Sequence, residues 1–177
     1  MVSTPFPDAQ VSPVVLRVTT DSDVERLTQL NNDAYPAVPR VTQSDMTELL
    51  DQANWSRVLD RDGDILAVVI CFSPGQDYDS ENYRYFESHF QDHFYIDRIV
   101  VDQAHRGEGL GAKAYAAVFD QARSQGLSHV TCEVNLEPPN PASIAFHRSM
   151  GFVDVDTQAT KGGSVIVQLM AATLDDG

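Results

Sequence analysis

The chain has 177 residues, with 26 Asp or Glu against 12 Lys or Arg and a formal net charge of −14 at pH 7. That length suits one domain with one sizeable core, and so acidic a surface disfavours nucleic acid and anionic membranes as partners. Cys71 and Cys132 lie in β-like apolar runs without disulfide or metal-ligand spacing, and neither a signal peptide nor a membrane-length apolar run is seen, so a cytoplasmic protein without a metal is expected.

Residues 1–12 are rich in Pro, Ser and polar side chains and are expected to be a flexible tail before a single domain at 13–174. A strand is predicted at 14–19. Asp21-Ser22-Asp23 then caps a helix to about Asn31, with Val24, Leu27 and Leu30 on one apolar face. Pro36 and Pro39 interrupt the chain, and a second helix starts at Thr42 or Ser44 and runs to about Gln52. Strands at 57–60 and 64–72 flank the turn Asp62-Gly63, which predicts a hairpin closed off by Pro74-Gly75.

Residues 76–94 crowd acids and aromatics together. They predict a loop with a short helix near 80–90, either an aromatic stripe packed on the core or a lid over a substrate. A strand at 94–101 and a helix at 109–125 follow, with Gly126 as C-cap. Next come a strand at 129–135 and a helix with Asn140 as N-cap and Pro141 in its first turn, ending at Gly151. Strands at 152–157 and 164–170 close the chain as a hairpin across Lys161-Gly162-Gly163. The pattern predicts an α/β fold, a mostly antiparallel sheet with one parallel βαβ unit at 94–135 and flanking helices.

The most informative segment is Val101-Asp-Gln-Ala-His-Arg-Gly-Glu-Gly-Leu-Gly111. Strand, glycine-rich turn and helix together aim unpaired backbone N–H groups at one point, which suits phosphate. His105, Arg106 and Lys113 add local positive charge in an acidic chain. A Walker loop cannot be written here, because Lys113 precedes Ala114. The dinucleotide pattern fits as Gly107, Gly109, Ala112 with Glu133 downstream. Its first glycine, however, comes too far after the strand, and too little chain is left for a doubly wound sheet.

The alternative pattern, Arg-x-x-Gly-x-Gly from Arg106 to Gly111, resembles the acyl-CoA pyrophosphate loop of the GNAT N-acetyltransferase superfamily. Downstream, Asn140-Pro-Ala-Ser-Ile-Ala-Phe-His-Arg-Ser-Met-Gly151-Phe152 is similar to that family's second signature. The resemblance runs from about Val14 to Met170, and Tyr-Ile-Asp-Arg-Ile-Val-Val at 95–101 also resembles a bacterial subgroup of acetyltransferases without a settled substrate. It implies a GNAT-like twisted sheet whose central parallel strands splay apart for the pantetheine arm. It further implies acetyl-CoA as co-substrate, an amine as acceptor and, as a family-level expectation, a homodimer. Carried onto this chain, the backbone of Ile99, Val100 and Val101 binds pantetheine and polarises the carbonyl. Arg106, Gly107, Glu108, Gly109, Leu110, Gly111 and Ala112 hold the pyrophosphate, and Asn140 and Ser143 contact the cofactor.

Acyl transfer from a thioester to an amine also needs a base for the ammonium and an acid for the leaving thiolate. The family's tyrosine position is His147 here, which can serve as that acid or as a packing residue, with Tyr95 or Tyr115 as other donors. Glu133 and Asp97 are acids inside apolar strands and are the candidate bases. The alternative for each is a structural ion pair, for example with Arg98 or Arg148. Simple alternation puts Glu133 on a face with Asn135, and Asp97 on one with Ile99 and Val101. Cys132 as an acyl-carrying nucleophile has no base beside it in sequence. The expected activity is acetyl transfer from acetyl-CoA to a small or amino-acid-like amine, which the acidic 76–94 segment favours. The competing expectations are a non-catalytic acyl-CoA sensor and a dinucleotide-binding oxidoreductase.

Overall fold

The computed structural model describes residues 11–175; residues 1–10 of the expected tail lie outside them. Strands β1 (Val15–Val18), β2 (Trp55–Arg61), β3 (Asp64–Phe72), β4 (His93–Val101), β5 (His129–Glu137), β6 (Val153–Thr160) and β7 (Val165–Thr173) form one seven-stranded sheet. Its order is β1-β2-β3-β4-β5-β7-β6, and every neighbouring pair is antiparallel except β4 with β5. The helices are α1 (Val24–Asp33), α2 (Gln43–Gln52), α3 (Glu81–His89), α4 (Leu110–Ser124) and α5 (Pro141–Ser149).

Local chemistry sets the helix ends. Thr42 and Asp45 form a capping box at α2, with Asp45 N donating to Thr42 Oγ1 at 3.1 Å and Thr42 N donating to Asp45 at 2.7 Å. At the C-terminal end of α4, Leu127 N reaches Ala122 O at 3.0 Å and Gly126 N reaches Arg123 O at 2.9 Å. This paired closure requires the left-handed φ of 69° that Gly126 adopts. Asn140 caps α5, with Pro141 in its first turn.

One sheet face carries α4 and α5 over Leu59, Val69, Phe94, Val130 and Met170. The other carries α1, α2 and α3 over Val68, Ile70, Phe72 and Tyr95. In α3 the aromatic residues Tyr83 and Phe86 are 1% and 0% exposed, so this helix packs its stripe on the core.

Two irregularities of β4 shape the middle of the sheet. First, β4 and β5 pair only at His93–His129, Phe94–Val130 and Tyr95–Thr131. Beyond Tyr95, β4 stays with β3 and β5 stays with β7, so the central strands part. This is the expected splay. Second, the β3 register steps from Ile70–Arg98 to Cys71–Ile96, which leaves Asp97 as the extra residue of a bulge. The bulge reverses the alternation. Phe94 and Ile96 before it and Ile99 and Val101 after it all face α4. Asp97 instead bonds Tyr78, which stacks on Phe72 of the opposite face. The expectation that Asp97 shares a face with Ile99 and Val101 is therefore corrected.

Candidate active site

A cleft of about 460 Å3 opens where β4 and β5 part. From the α4 face it is lined by Ile96, Ile99, Tyr115, Cys132, Ser143 and His147, and from the other face by Asn82, Asp97, Arg98, Glu133 and Asn135. It thus reaches both sides of the sheet. A second cavity of about 240 Å3 shares Tyr35, Pro36, Ala37, Asn135, Pro138 and Asn140 with the first and extends to Gln103 and Arg106. Asn135 Nδ2 donates to Pro36 O at 3.0 Å and ties the loop between α1 and α2 over both.

The glycine loop lies next to the second cavity. Gly107 and Gly109 have φ of 86° and 76°, which only glycine adopts without strain. Gly109 is the N-cap of α4 and has no side chain to satisfy the first helical N–H groups. The loop is braced from behind: Arg26 pairs with Asp102, and Asp102 N donates to Leu66 O at 2.8 Å. Glu108 is bound by Arg61 at 2.8 Å and His105 at 2.9 Å, which hold its carboxylate below the ordinary range. Arg106 is exposed, and its side chain makes no hydrogen bond or ion pair among the described residues.

Of the residues expected to contact a cofactor, Ile99, Asn140 and Ser143 line the larger cleft and Arg106 and Asn140 the smaller. Gly107, Glu108, Gly109, Leu110, Gly111 and Ala112 form the adjoining turn and first helical turn. Val101 faces α4, whereas Val100 is 4% exposed and packs on the other sheet face. For both, the backbone rather than the side chain is what a ligand in the gap can meet.

Glu133 sits on β5 at the opening, half-buried. Tyr95 Oη donates to its two oxygens at 3.0 and 2.9 Å. Burial, and then the charge of Asp97, push the Glu133 carboxyl up to about 8, while Tyr95, Asn82 and Arg98 pull it back in part. Asp97 is engaged differently. Arg98 Nε donates to its Oδ2 at 2.7 Å, and Tyr78 donates to its Oδ1. Asp97 thus has the ion pair that was the alternative to catalysis. Glu133 has none with Arg148, which pairs with Asp154 at 2.6 Å.

His147 is 7% exposed. Its Nδ1 lies 2.7 Å from Ser143 O, which can only accept, so the ring proton sits on Nδ1. Nε2 then accepts from Tyr115 Oη, and burial lowers the basicity of the ring. In this state His147 has no proton facing the cleft. Tyr115 has one. Burial also raises the Cys132 thiol well above its usual range, which leaves it a poor nucleophile.

Of the acidic and aromatic segment 76–94, only Asn82 lines the cleft. Asp77 and Asp79 are exposed, and Asp79 pairs with Arg84. The segment is therefore no acidic wall for an amine, contrary to expectation. Its contribution is indirect, through Tyr78 on Asp97. Sequence reasoning passes over Arg98 and Lys161 as cleft residues. Arg98 reads as an ion-pair partner and Lys161 as part of a turn, and neither spacing shows what the turn covers.

A sheet opened between two central parallel strands, with a glycine loop and helix at one end of the gap, defines an acyl-CoA-type transferase architecture. The chain belongs to the acetyltransferase (GNAT) family, whose model matches residues 24–152. It is 43% identical over 54 residues to the L-methionine sulfoximine/L-methionine sulfone acetyltransferase of Salmonella typhimurium, 30% of each chain. It is 40% identical over 55 residues to the L-amino acid N-acyltransferase MnaT of Escherichia coli, 31% of each chain. The matches therefore span under a third of these relatives. Among solved structures, Ard1 from Thermoplasma volcanium aligns with a TM-score of 0.74 at 18% identity, covering 92% of this chain and 99% of that one. The Salmonella typhimurium acetyltransferase yncA, solved with its cofactor acetyl-CoA, aligns with a TM-score of 0.67 at 20% identity, covering 94% and 96%. These two likenesses show the fold.

Proposed function

We propose that this protein transfers an acetyl group from acetyl-CoA to the primary amine of a small or amino-acid-like molecule, directly and in a ternary complex. The observation that carries this reading is the gap between β4 and β5, which joins the glycine loop side to Glu133. The residues present fit acetyl-CoA. The amides at the start of α4 with Arg106 suit a pyrophosphate, and the β5-facing edge of β4 beyond Tyr95 is free to pair with the amide groups of a pantetheine arm.

Glu133 accepts the ammonium proton, directly or through water. With its carboxyl near 8, roughly a tenth is ionised at neutral pH, so the rate climbs as pH rises through that value. Tyr115 supplies the proton for the departing thiolate by turning its hydroxyl away from His147 Nε2, and it regains a proton from solvent as the hydroxyl returns to the histidine. A cytoplasmic setting goes with a metabolite co-substrate. A homodimer is the accompanying expectation, checked by sedimentation.

The test is acetyl-CoA turnover with a panel of amines, read as thiol release, beside thermal shift with CoA and with NAD. Turnover together with a CoA-specific shift is the expected result. A second reading, a non-catalytic acyl-CoA sensor, is favoured by the engaged histidine at the family's tyrosine position. Tight acetyl-CoA binding without turnover of any amine would establish it. A shift with NAD alone would return the dinucleotide reading.

A further inference from the structure

The acceptor end of the cleft is less acidic than the protein around it. Two cations line it, Arg98 and Lys161, beside Asp97 and Glu133. The Arg98 side chain is 9% exposed. Its Nε is used by Asp97 at 2.7 Å and its Nη1 by Asn31 Oδ1 at 2.8 Å. Its Nη2 makes no hydrogen bond among the described residues. A guanidinium carries five donors in a fixed fork. Arg98 lines the open cleft, and Nη2 is a donor left over there for a ligand.

Lys161 approaches from the turn between β6 and β7. Its backbone N donates to Glu81 Oε2 at 3.0 Å, which fixes the turn against α3. Its ammonium enters no ion pair or hydrogen bond among the described residues. The local charges can be counted. Arg98 and Asp97 neutralise each other as a buried pair. Glu133 is mostly protonated at neutral pH. Glu81 meets the backbone of Lys161 and not its ammonium, so that ammonium is left without a partner among the described residues. A molecule that carries a carboxylate beside its amine offers it one.

We propose that this end of the cleft is an anion subsite that holds the carboxylate of an α-amino-acid acceptor between Arg98 Nη2 and Lys161, and that these two residues select zwitterions over plain amines. The proposal rests on the acetyl-transfer reading and adds the part of the acceptor that is recognised. Arg98, Lys161 and Glu133 line one cleft of about 460 Å3, so a carboxylate at the first two and an amine at the third belong to one small molecule.

The experiment compares L-amino acids with their amides and their decarboxylated amines, for example L-leucine, L-leucinamide and isoamylamine. Both turnover and calorimetric binding to the CoA-loaded protein are measured. The amino acids should be preferred by about tenfold or more in kcat/KM, because neither the amide nor the amine offers a carboxylate for a charge-assisted hydrogen bond. Lys161→Gln should shrink that ratio by raising KM for the amino acid. Lys161 lies on an exposed turn, so this variant tests the subsite without touching the core. Arg98→Lys, which keeps the charge beside Asp97 and loses the fork, should do the same. Amides or amines used as well as amino acids would overturn the anion subsite while leaving acetyl transfer intact. Amino-acid-specific binding that Lys161→Gln removes, without turnover of any acceptor, would uphold the subsite and sink the acetyl-transfer reading instead.

Discussion

The two ends of the central gap are built from different materials. At the glycine loop the site is backbone: two left-handed glycines and a helix start that no side chain caps. At the acceptor end it is side chains, with Glu133 from β5, Arg98 from β4, Asn82 from α3 and Lys161 from the turn after β6. A backbone site is written in one short stretch of sequence and binds one chemical group. A side-chain site is assembled from four distant stretches and can change its ligand one residue at a time.

The sharpest break in this comparison is at Glu133. Glu133→Gln should lower kcat by about 10²-fold or more and abolish the rise in rate around pH 8, while acetyl-CoA binding holds. A pH–rate profile that keeps its limb would place the base elsewhere. Next comes the loop. Gly109 has open space around its missing side chain and a φ of 76°, a conformation that Asn and Asp tolerate best after glycine. Gly109→Asp should weaken acetyl-CoA by roughly 10²-fold by setting a carboxylate against the pyrophosphate, and the thermal shift should vanish. Gly109→Asn is the control of equal shape and should retain most of the affinity. Equal losses in both variants would reduce the loop to sterics.

A smaller effect tests the join between the two ends. Tyr115→Phe and His147→Phe each leave a buried polar group without its partner, at about 1–3 kcal/mol of stability apiece. The double variant removes both partners and should recover part of the sum, as denaturant midpoints would report. Strict additivity would deny the hydrogen bond. The smallest effect is expected from Asp77→Asn with Asp79→Asn. Neither side chain lines the cleft, so acceptor KM should stay within about twofold at moderate salt, where exposed charges are screened. A large rise would return this segment to acceptor recognition.

The same contrast explains what is legible in the sequence. Most elements announce themselves locally: Thr42 with Asp45, Asp62-Gly63 and Asn140-Pro141 each carry a signal with one structural meaning. The parallel pair follows from the strand–helix–strand order, whereas its splay follows from the family resemblance, since no propensity announces where two strands stop pairing. Glu133 keeps its predicted face because β5 is regular there. Asp97 does not, because a single extra residue in β4 reverses the parity and the alternation of apolar residues hides it. The role of 76–94 escapes sequence reading for a related reason: an acidic composition says nothing about which side of a helix meets a cavity. His147 is found from its position in a signature, but its tautomer depends on Ser143 O and Tyr115, one turn and one helix away.

The cleft through the sheet and the cavity beside the glycine loop share Tyr35, Pro36, Asn135 and Asn140, and this bears on how they could be blocked. Unconnected pockets would have to be filled by two molecules, each with its own loss of freedom on binding. Adjoining ones let one conjugate, an amino acid joined to CoA through a short acyl bridge, lie across both. Once the CoA half is seated, the other half meets its partners at an effective concentration of about millimolar or above, provided the bridge matches the span. The bridge length that gives the tightest conjugate would then measure the distance from the loop's end of the reaction to Glu133.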